Sequence, residues 1–219
     1  MSHFNGVLFD LDGTLLDTAK DLGNALNHVL SQHDQPSIAF AAYRNVASDG
    51  AKGLLELGFG DNFNQLDFPI ARQQLLDHYA TNICVDTRMF AGVEECLLQL
   101  NERAIPWGIV TNKPGWLTDS LLSYFPLLAA CNCVFSGDTL SKRKPDPLPL
   151  LEAAKLLNLN PGSTLYVGDA IRDIQAANSA DMISVAACYG YIDDLNQVRD
   201  WQADFTVDHI QQIWQLKCR

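Results

Sequence analysis

Residues 6–17 read GVLFDLDGTLLD: a four-residue apolar run closed by Asp10 and Asp12, with Gly13 directly after them. An apolar run of that length, rich in Val, Leu and Phe, suits a strand buried on both faces. Two carboxylates one residue apart at the end of such a strand repel each other. A fold tolerates them only where a cation arrives or where the strand end is fully wet. The rest of the chain decides between the two.

Five more runs of the same kind follow: PWGIVTN (106–112), NCVFSGD (132–138), TLYVGD (164–169), MISVAA (182–187) and ADFTV (203–207). Between them apolar residues recur at helical spacing. Val93, Cys96, Leu97 and Leu100 do so in 93–104, and Leu148, Leu151, Ala154 and Leu157 in 147–157, where Pro147 suits a helix start. Strand and helix in alternation predict an α/β fold, a doubly wound parallel sheet wrapped on both sides. Residues 18–83 break the alternation. Segments 21–30 and 70–83 read as long amphipathic helices with another helical stretch, 43–57, between them and no strand-like run. The expected organisation is a core of residues 1–17 and 84–219 with an inserted all-helical cap domain, 18–83.

The chain's 219 residues can hold one large domain, or one domain plus a smaller insert. With 47% hydrophobic and 19% charged residues it is able to bury a full core. Its 26 acidic against 15 basic side chains, a formal net charge of -11, argue against a sequence-independent nucleic-acid binder and against docking on anionic membranes. No apolar run approaches the ~18–20 residues of a transmembrane helix, and the N-terminus has no signal-peptide pattern. Six cysteines (Cys84, Cys96, Cys131, Cys133, Cys188 and Cys218) are scattered without CxxC spacing, as in a reducing compartment. A cytoplasmic protein is expected.

Ligands of open α/β sheets gather outside the carboxyl ends of the strands. Asp10 and Asp12 occupy one such end, Thr111 and Asn112 a second and Asp169 a third. Asp173, four residues beyond Asp169 at the opening of a helix, can face the same way. Four carboxylates in one crevice require a cation. Oxygen-only ligands select a hard ion, and a carboxylate site completed by substrate phosphate and water suits Mg²⁺. Lys144, in KRKPDP (142–147), offers a fixed positive charge, and Thr111 and Asn112 offer hydroxyl, amide and backbone donors to phosphate oxygens. Singly, each has an ordinary explanation: the aspartates as turn formers, Lys144 as a solvated lysine beside Lys142 and Arg143. Their joint appearance at strand ends points to a phosphoryl-transfer site.

The set DLDGTLLD, VTNKP, KRKPDP and VGDAIRD resembles, in order and over essentially the whole chain, the four motifs of the haloacid dehalogenase-like superfamily. The helical insert matches that superfamily's cap position. The resemblance implies a catalytic set of Asp10, Asp12, Thr111 and Lys144. Asp10 would be the nucleophile that forms an aspartyl-phosphate, and Asp12 the acid and base. It further implies a Mg²⁺ held by Asp10, the backbone carbonyl of Asp12 and Asp169, with Asp173 supporting it directly or through water. Thr111 and Lys144 would hold the phosphate, helped by the Asn112 backbone N–H.

Within the superfamily, VTNKP, KPDPLPLL and YGY (189–191) look most like the phosphoglycolate phosphatase branch. Trp107 and DWQADFTVDH (200–209) pull towards a neighbouring branch, the N-acetylmuramic acid 6-phosphate phosphatases. Both substrates carry a carboxylate. In the insert, ASDGAKGLL (47–55) is the candidate contact loop, with Lys52 expected to meet an anionic substrate tail; a helix start capped by Ser48 or Asp49 beside a solvated Lys52 fits as well. Two other classes stay open, a β-phosphoglucomutase-like isomerase and a non-catalytic binding protein on the same scaffold. The expectation is a Mg²⁺-dependent phosphomonoesterase acting on a small acidic metabolite, with neither nucleic acid nor membrane as partner.

Overall fold

The computed structural model describes residues 4–217, so that Cys218 lies outside the described residues. The chain opens with β1 (Gly6–Phe9), then β2 (Leu16–Asp17), α1 (Ala19–Gln32), α2 (Phe40–Arg44), α3 (Gly50–Phe59) and α4 (Phe68–Thr81). Next come β3 (Arg88–Met89), α5 (Val93–Glu102), β4 (Trp107–Val110), α6 (Gly115–Leu122), α7 (Pro126–Ala129) and β5 (Val134–Phe135). It ends with α8 (Leu148–Leu156), β6 (Thr164–Gly168), α9 (Ile171–Ser179), β7 (Ile183–Ala187) and β8 (Phe205–Val207). All six expected strands form.

They make one sheet in the order β5-β4-β1-β6-β7-β8, with every neighbouring pair parallel. Strand β1 is central: Val7 stands opposite Trp107 of β4 on one side and Leu165 of β6 on the other. The chain builds outward from β1 through β4 to β5, then returns to β1's other flank with β6. The order therefore reverses at β1/β6, and the crevice outside that switch point is where such sheets bind ligands.

Alternation along the strands sorts the core into two layers. Val7, Phe9, Trp107, Ile109, Leu165 and Val167 pack in one cluster with Val93, Cys96, Leu97 and Leu100 of α5. Leu8, Val110 and Tyr166 pack in the other with Leu150, Ala153 and Ala154 of α8 and Ala176 and Ala177 of α9. With helices on both faces, most strand positions must be apolar, and a buried polar one needs a partner, as Ser184 of β7 has in Asp204. That is why the runs read as continuous apolar stretches. The five described cysteines are free thiols, and no described helix is long and apolar enough to cross a membrane.

Between β2 and β3, an antiparallel pair joined by Leu16↔Met89 and Asp17↔Arg88, the chain is helical. Helix α1 packs against α2, α3 and α4. The two long helices expected there form as α1 and α4; Asp67 caps α4 by accepting the Ile70 N–H. The expected helix over 43–57 is broken. Helix α2 stops at Arg44, a 3-10 turn spans Ala47–Asp49, and α3 starts at Gly50 with φ 65°. A positive φ at that point suits glycine and interrupts right-handed winding, and it frees Ser48 and Asp49 from helical pairing. The β2–β3 pair itself escaped the sequence reading, since two residues per strand leave no periodicity to detect.

Candidate active site

The ends of β1, β4 and β6 meet in the crevice. Asp10 follows β1, Asp169 follows β6, and both are buried; Asp173, on the first turn of α9, is fully buried. One oxygen from each of these three carboxylates lies within 4.8 Å of the others. Gly13 makes the convergence possible. Its φ is 82°, and a Cβ there would fall 2.1 Å from Asp169 Oδ2. The glycine after the paired aspartates is thus a space for a carboxylate from another strand as well as a turn residue.

Fixed cations compensate only part of this charge. Lys144, with no exposed side-chain surface, sits 2.9 Å from Asp10 Oδ1 and 2.7 Å from Asp173 Oδ1, and donates to the Tyr166 hydroxyl at 2.7 Å. Asp173 Oδ2 accepts the Ala170 N–H at 3.0 Å, so both of its oxygens have partners. Asp169 accepts from the Ser48 hydroxyl at 2.7 Å and the Tyr191 N–H at 3.0 Å. Burial pushes Asp10 up to about 6 against the pull of Lys144, with Asp173 adding to the rise. Burial, then the charges of Asp10 and Asp173, push Asp169 up to about 7. Both carboxyl groups therefore bind protons more tightly than they would in water, as burial beside other carboxylates produces.

A cavity of about 820 Å³ opens above the strand ends. Asp10, Asp12, Thr111, Asn112 and Lys144 line it from the core side, and Ser48, Lys52 and Arg72 line it from the helical insert. Asp169 and Asp173 lie buried beside it rather than in its wall. Thr111 Oγ1 accepts the Lys113 N–H at 3.2 Å, and its own O–H has no acceptor among the described residues. The Asn112 side chain donates to the Lys144 carbonyl at 2.9 Å and so braces the loop that carries the lysine. Its Oδ1 is buried without a partner, and its backbone N–H makes no hydrogen bond among the described residues.

Lys52 lies on the first turn of α3, largely exposed, with its ammonium 3.6 Å from Glu56. It touches the cavity but already has a counter-charge. Several contacts were not foreseen. Lys113 pairs with Asp12 at 3.0 Å, and Thr18 donates to the same Asp12 oxygen at 2.7 Å. Arg172 bonds the Ser48 carbonyl and pairs with Asp49 at 3.1 Å. The Tyr191 hydroxyl takes the Ala19 N–H at 3.0 Å, holding the start of α1 to the core. Lys113, Arg172 and Tyr191 all stand inside the motifs VTNKP, VGDAIRD and YGY, so the signal was present, but nothing local says whom they touch.

The donor set fits a divalent cation: all oxygen, three carboxylates in mutual reach, and raised proton affinity at two of them. A pH-dependent stability follows. Folded Asp10 and Asp169 bind protons more tightly than their unfolded forms, whose ordinary value is 3.8. The unfolded chain is then the more deprotonated state between roughly pH 4 and 7, so stability falls as pH rises through that window. Melting curves in EDTA should show Tm dropping from pH 5 to 7.5, each kcal/mol lost being worth about 2–4 °C. Added Mg²⁺ should restore Tm at pH 7.5 and do little at pH 5. A flat EDTA profile would contradict the charge assignment.

A parallel sheet that gathers carboxylates, a threonine and a lysine at its switch point defines the hydrolases of the haloacid dehalogenase type. The sequence matches the family described as haloacid dehalogenase-like hydrolase over residues 7–187. The chain belongs to that family. It is 41% identical over 213 residues to a phosphoglycolate phosphatase of Xanthomonas campestris, covering 95% of this chain and 94% of the relative. It is 35% identical over 207 residues to an N-acetylmuramic acid 6-phosphate phosphatase of Pseudomonas putida, covering 94% and 93%. The crystal structure of a phosphoglycolate phosphatase predicted in Haemophilus somnus superposes with a TM-score of 0.87 at 27% identity, covering 98% of both chains.

Proposed function

We propose that this hydrolase is a Mg²⁺-dependent phosphomonoesterase that works through an aspartyl-phosphate on Asp10. The observation that carries this is the pairing of Asp10 with Lys144 at 2.9 Å inside a carboxylate cluster at the end of β1. Asp10 Oδ1 takes both Lys144 and the Leu11 N–H, at 2.8 Å, and Oδ2 has no partner among the described residues. That oxygen is the one to attack phosphorus. Thr111 O–H, the Asn112 N–H and Lys144 are the donors available to the phosphoryl oxygens. Asp12 gives a proton to the leaving oxygen and afterwards takes one from the water that hydrolyses the intermediate. Asp10, Asp169 and the Asp12 carbonyl would hold the cation, with Asp173 in support; when bound, it screens the repulsion between carboxylate and phosphate dianion.

The helices α1–α4, residues 18–83 with their flanks, act in this reading as the cap that excludes water. The substrate is a small acidic phosphoester, as the names of the two relatives suggest. Arg72 on α4 lines the cavity with no hydrogen bond or ion pair among the described residues, whereas Lys52 is paired with Glu56. The substrate's carboxylate is therefore better served by Arg72. A second reading, a phosphorylated sugar acid such as N-acetylmuramic acid 6-phosphate, is favoured by the cavity of about 820 Å³, which is large for a two-carbon acid.

Phosphate release from phosphoglycolate and from N-acetylmuramic acid 6-phosphate, each with Mg²⁺ and with EDTA, tests both readings. Turnover should require Mg²⁺, and Asp169→Ala should raise the Mg²⁺ concentration needed for half-maximal rate at least ~10-fold. Release that is unaffected by EDTA would remove the cation from the proposal.

A further inference from the structure

We propose that Lys113 and Tyr79 are positioning residues that tether one oxygen of Asp12 and so leave the other free for proton transfer. This rests on the phosphatase reading above and adds to it two residues that the reading does not use. Lys113 follows Thr111 and Asn112, yet its ammonium does not join them as a free phosphate donor. Its side chain is 5% exposed, and Nζ lies 3.0 Å from Asp12 Oδ1. The same Nζ donates to the Tyr79 hydroxyl at 2.9 Å and stands 4.3 Å from the centre of the Tyr79 ring. A buried ammonium is tolerated only with such partners, and here a carboxylate, a phenol oxygen and an aromatic face supply them.

The consequence lies in which Asp12 atom is engaged. Lys113 and Thr18 both bind Oδ1, at 3.0 and 2.7 Å. Oδ2 accepts nothing among the described residues, and Asp12 lines the cavity. Two donors on one oxygen fix the carboxyl plane and select Oδ2 as the atom that exchanges its proton. As the Asp10–phosphorus bond forms and the ester P–O bond breaks, the proton on Oδ2 goes to the departing oxygen. In the second half Oδ2 takes a proton from the water whose oxygen attacks phosphorus, and the Asp10–phosphorus bond breaks to release phosphate and restore the Asp10 carboxylate. Atoms and charge balance without any further reactant.

Tyr79 sits on α4, in the helical insert, whereas Asp12 and Lys113 belong to the core. The tether is therefore complete only while α4 is seated on the core. An unseated insert lets Lys113 swing and Asp12 rotate, which matters because an open site admits water to the intermediate.

Leaving groups separate this from a structural role. Departure of the alkoxide of phosphoglycolate needs a proton, whereas p-nitrophenolate is a stable anion that departs without one. In Lys113→Met, kcat/KM with Mg²⁺ should fall ~10²-fold for phosphoglycolate, and at least ~10 times less for p-nitrophenyl phosphate. Lys113→Arg should recover part of the loss. Equal losses on the two esters would overturn the assignment and make Lys113 a structural or phosphate-holding residue. Should Lys113→Met not fold, Tyr79→Phe, which keeps the ring and removes the acceptor, carries the same comparison with a smaller selective loss; equal losses there overturn it too. No phosphate release from either ester by the unaltered protein would instead sink the phosphatase reading, and this assignment with it.

Discussion

Asp10→Asn should reduce phosphate release to background, on the order of 10⁵-fold below the unaltered protein, while the fold stays intact. The amide has the size of the carboxylate, so the packing around Val7, Phe9 and Val167 is undisturbed. It lacks the charge and nucleophilicity that attack on phosphorus requires. Stability should not suffer. Lys144 keeps Asp173 at 2.7 Å, and one negative charge leaves a cluster whose members already hold protons too tightly. At pH 7.5 without divalent cation, Tm should be equal to or above that of the unaltered protein. Phosphate release and a melting curve on the same sample check both halves. Rapid turnover by the variant would place the nucleophile elsewhere; a large fall in Tm would mean that Asp10 is held for structure.

Lys144→Met has the opposite signature, with large losses in both activity and stability. The ammonium is the shared partner of Asp10 and Asp173, has no exposed side-chain surface, and lies 5.3 Å from the centre of the Tyr166 ring. Methionine fills much of the volume but leaves two buried carboxylates without their cation. Removing one partner of a buried pair costs about 3–5 kcal/mol, because the remaining charge stays desolvated. At about 2–4 °C per kcal/mol, Tm should fall by roughly 6–20 °C at pH 7.5. The fall should be smaller near pH 5, where the carboxyl groups can take up protons. Adding Asp173→Asn should recover much of the stability but none of the turnover. Such a double-variant cycle separates the lysine's structural pairing from its proposed contact with phosphate. Equal Tm for Lys144→Met and the unaltered protein would show that the carboxylates are solvated and that the buried ion triad does not exist in solution.

The two predictions differ because the same crevice is asked for two things. In the proposed reading charge is concentrated to hold a cation and a phosphate, and the fold must survive that concentration while both are absent. The raised proton affinities of Asp10 and Asp169 would make binding of a cation there depend on pH.

How much of this was legible in the sequence depends on the range of the interactions. Six apolar runs foretold six strands, because a strand covered on both faces is built mostly from apolar residues until it ends. Asp10, Thr111 and Asp169 were legible as groups that gather at the crevice, being the first polar groups after such runs. The helical content of 18–83 followed from apolar spacing, except at 43–57. There the break at Gly50 releases Ser48 and Asp49 to reach Asp169 and Arg172, residues more than a hundred positions away. Lys52 read as a substrate contact because of its loop; in the fold it lines the cavity with Glu56 one helical turn on, and Arg72 of α4 lines the same cavity with no ion pair among the described residues.

By itself, then, the sequence determined the strand set, the carboxylate-bearing strand ends and the family, all of which are written in short-range order. Only the tertiary structure decided that Gly13 makes room for Asp169, that Lys144 is shared by two aspartates, and that Lys113 is pinned between Asp12 and Tyr79. These contacts join residues from different strands and from the insert. Whether a lysine is solvated or buried against a carboxylate is set by which surfaces the folded chain brings together, and a list of neighbours along the chain carries no such information.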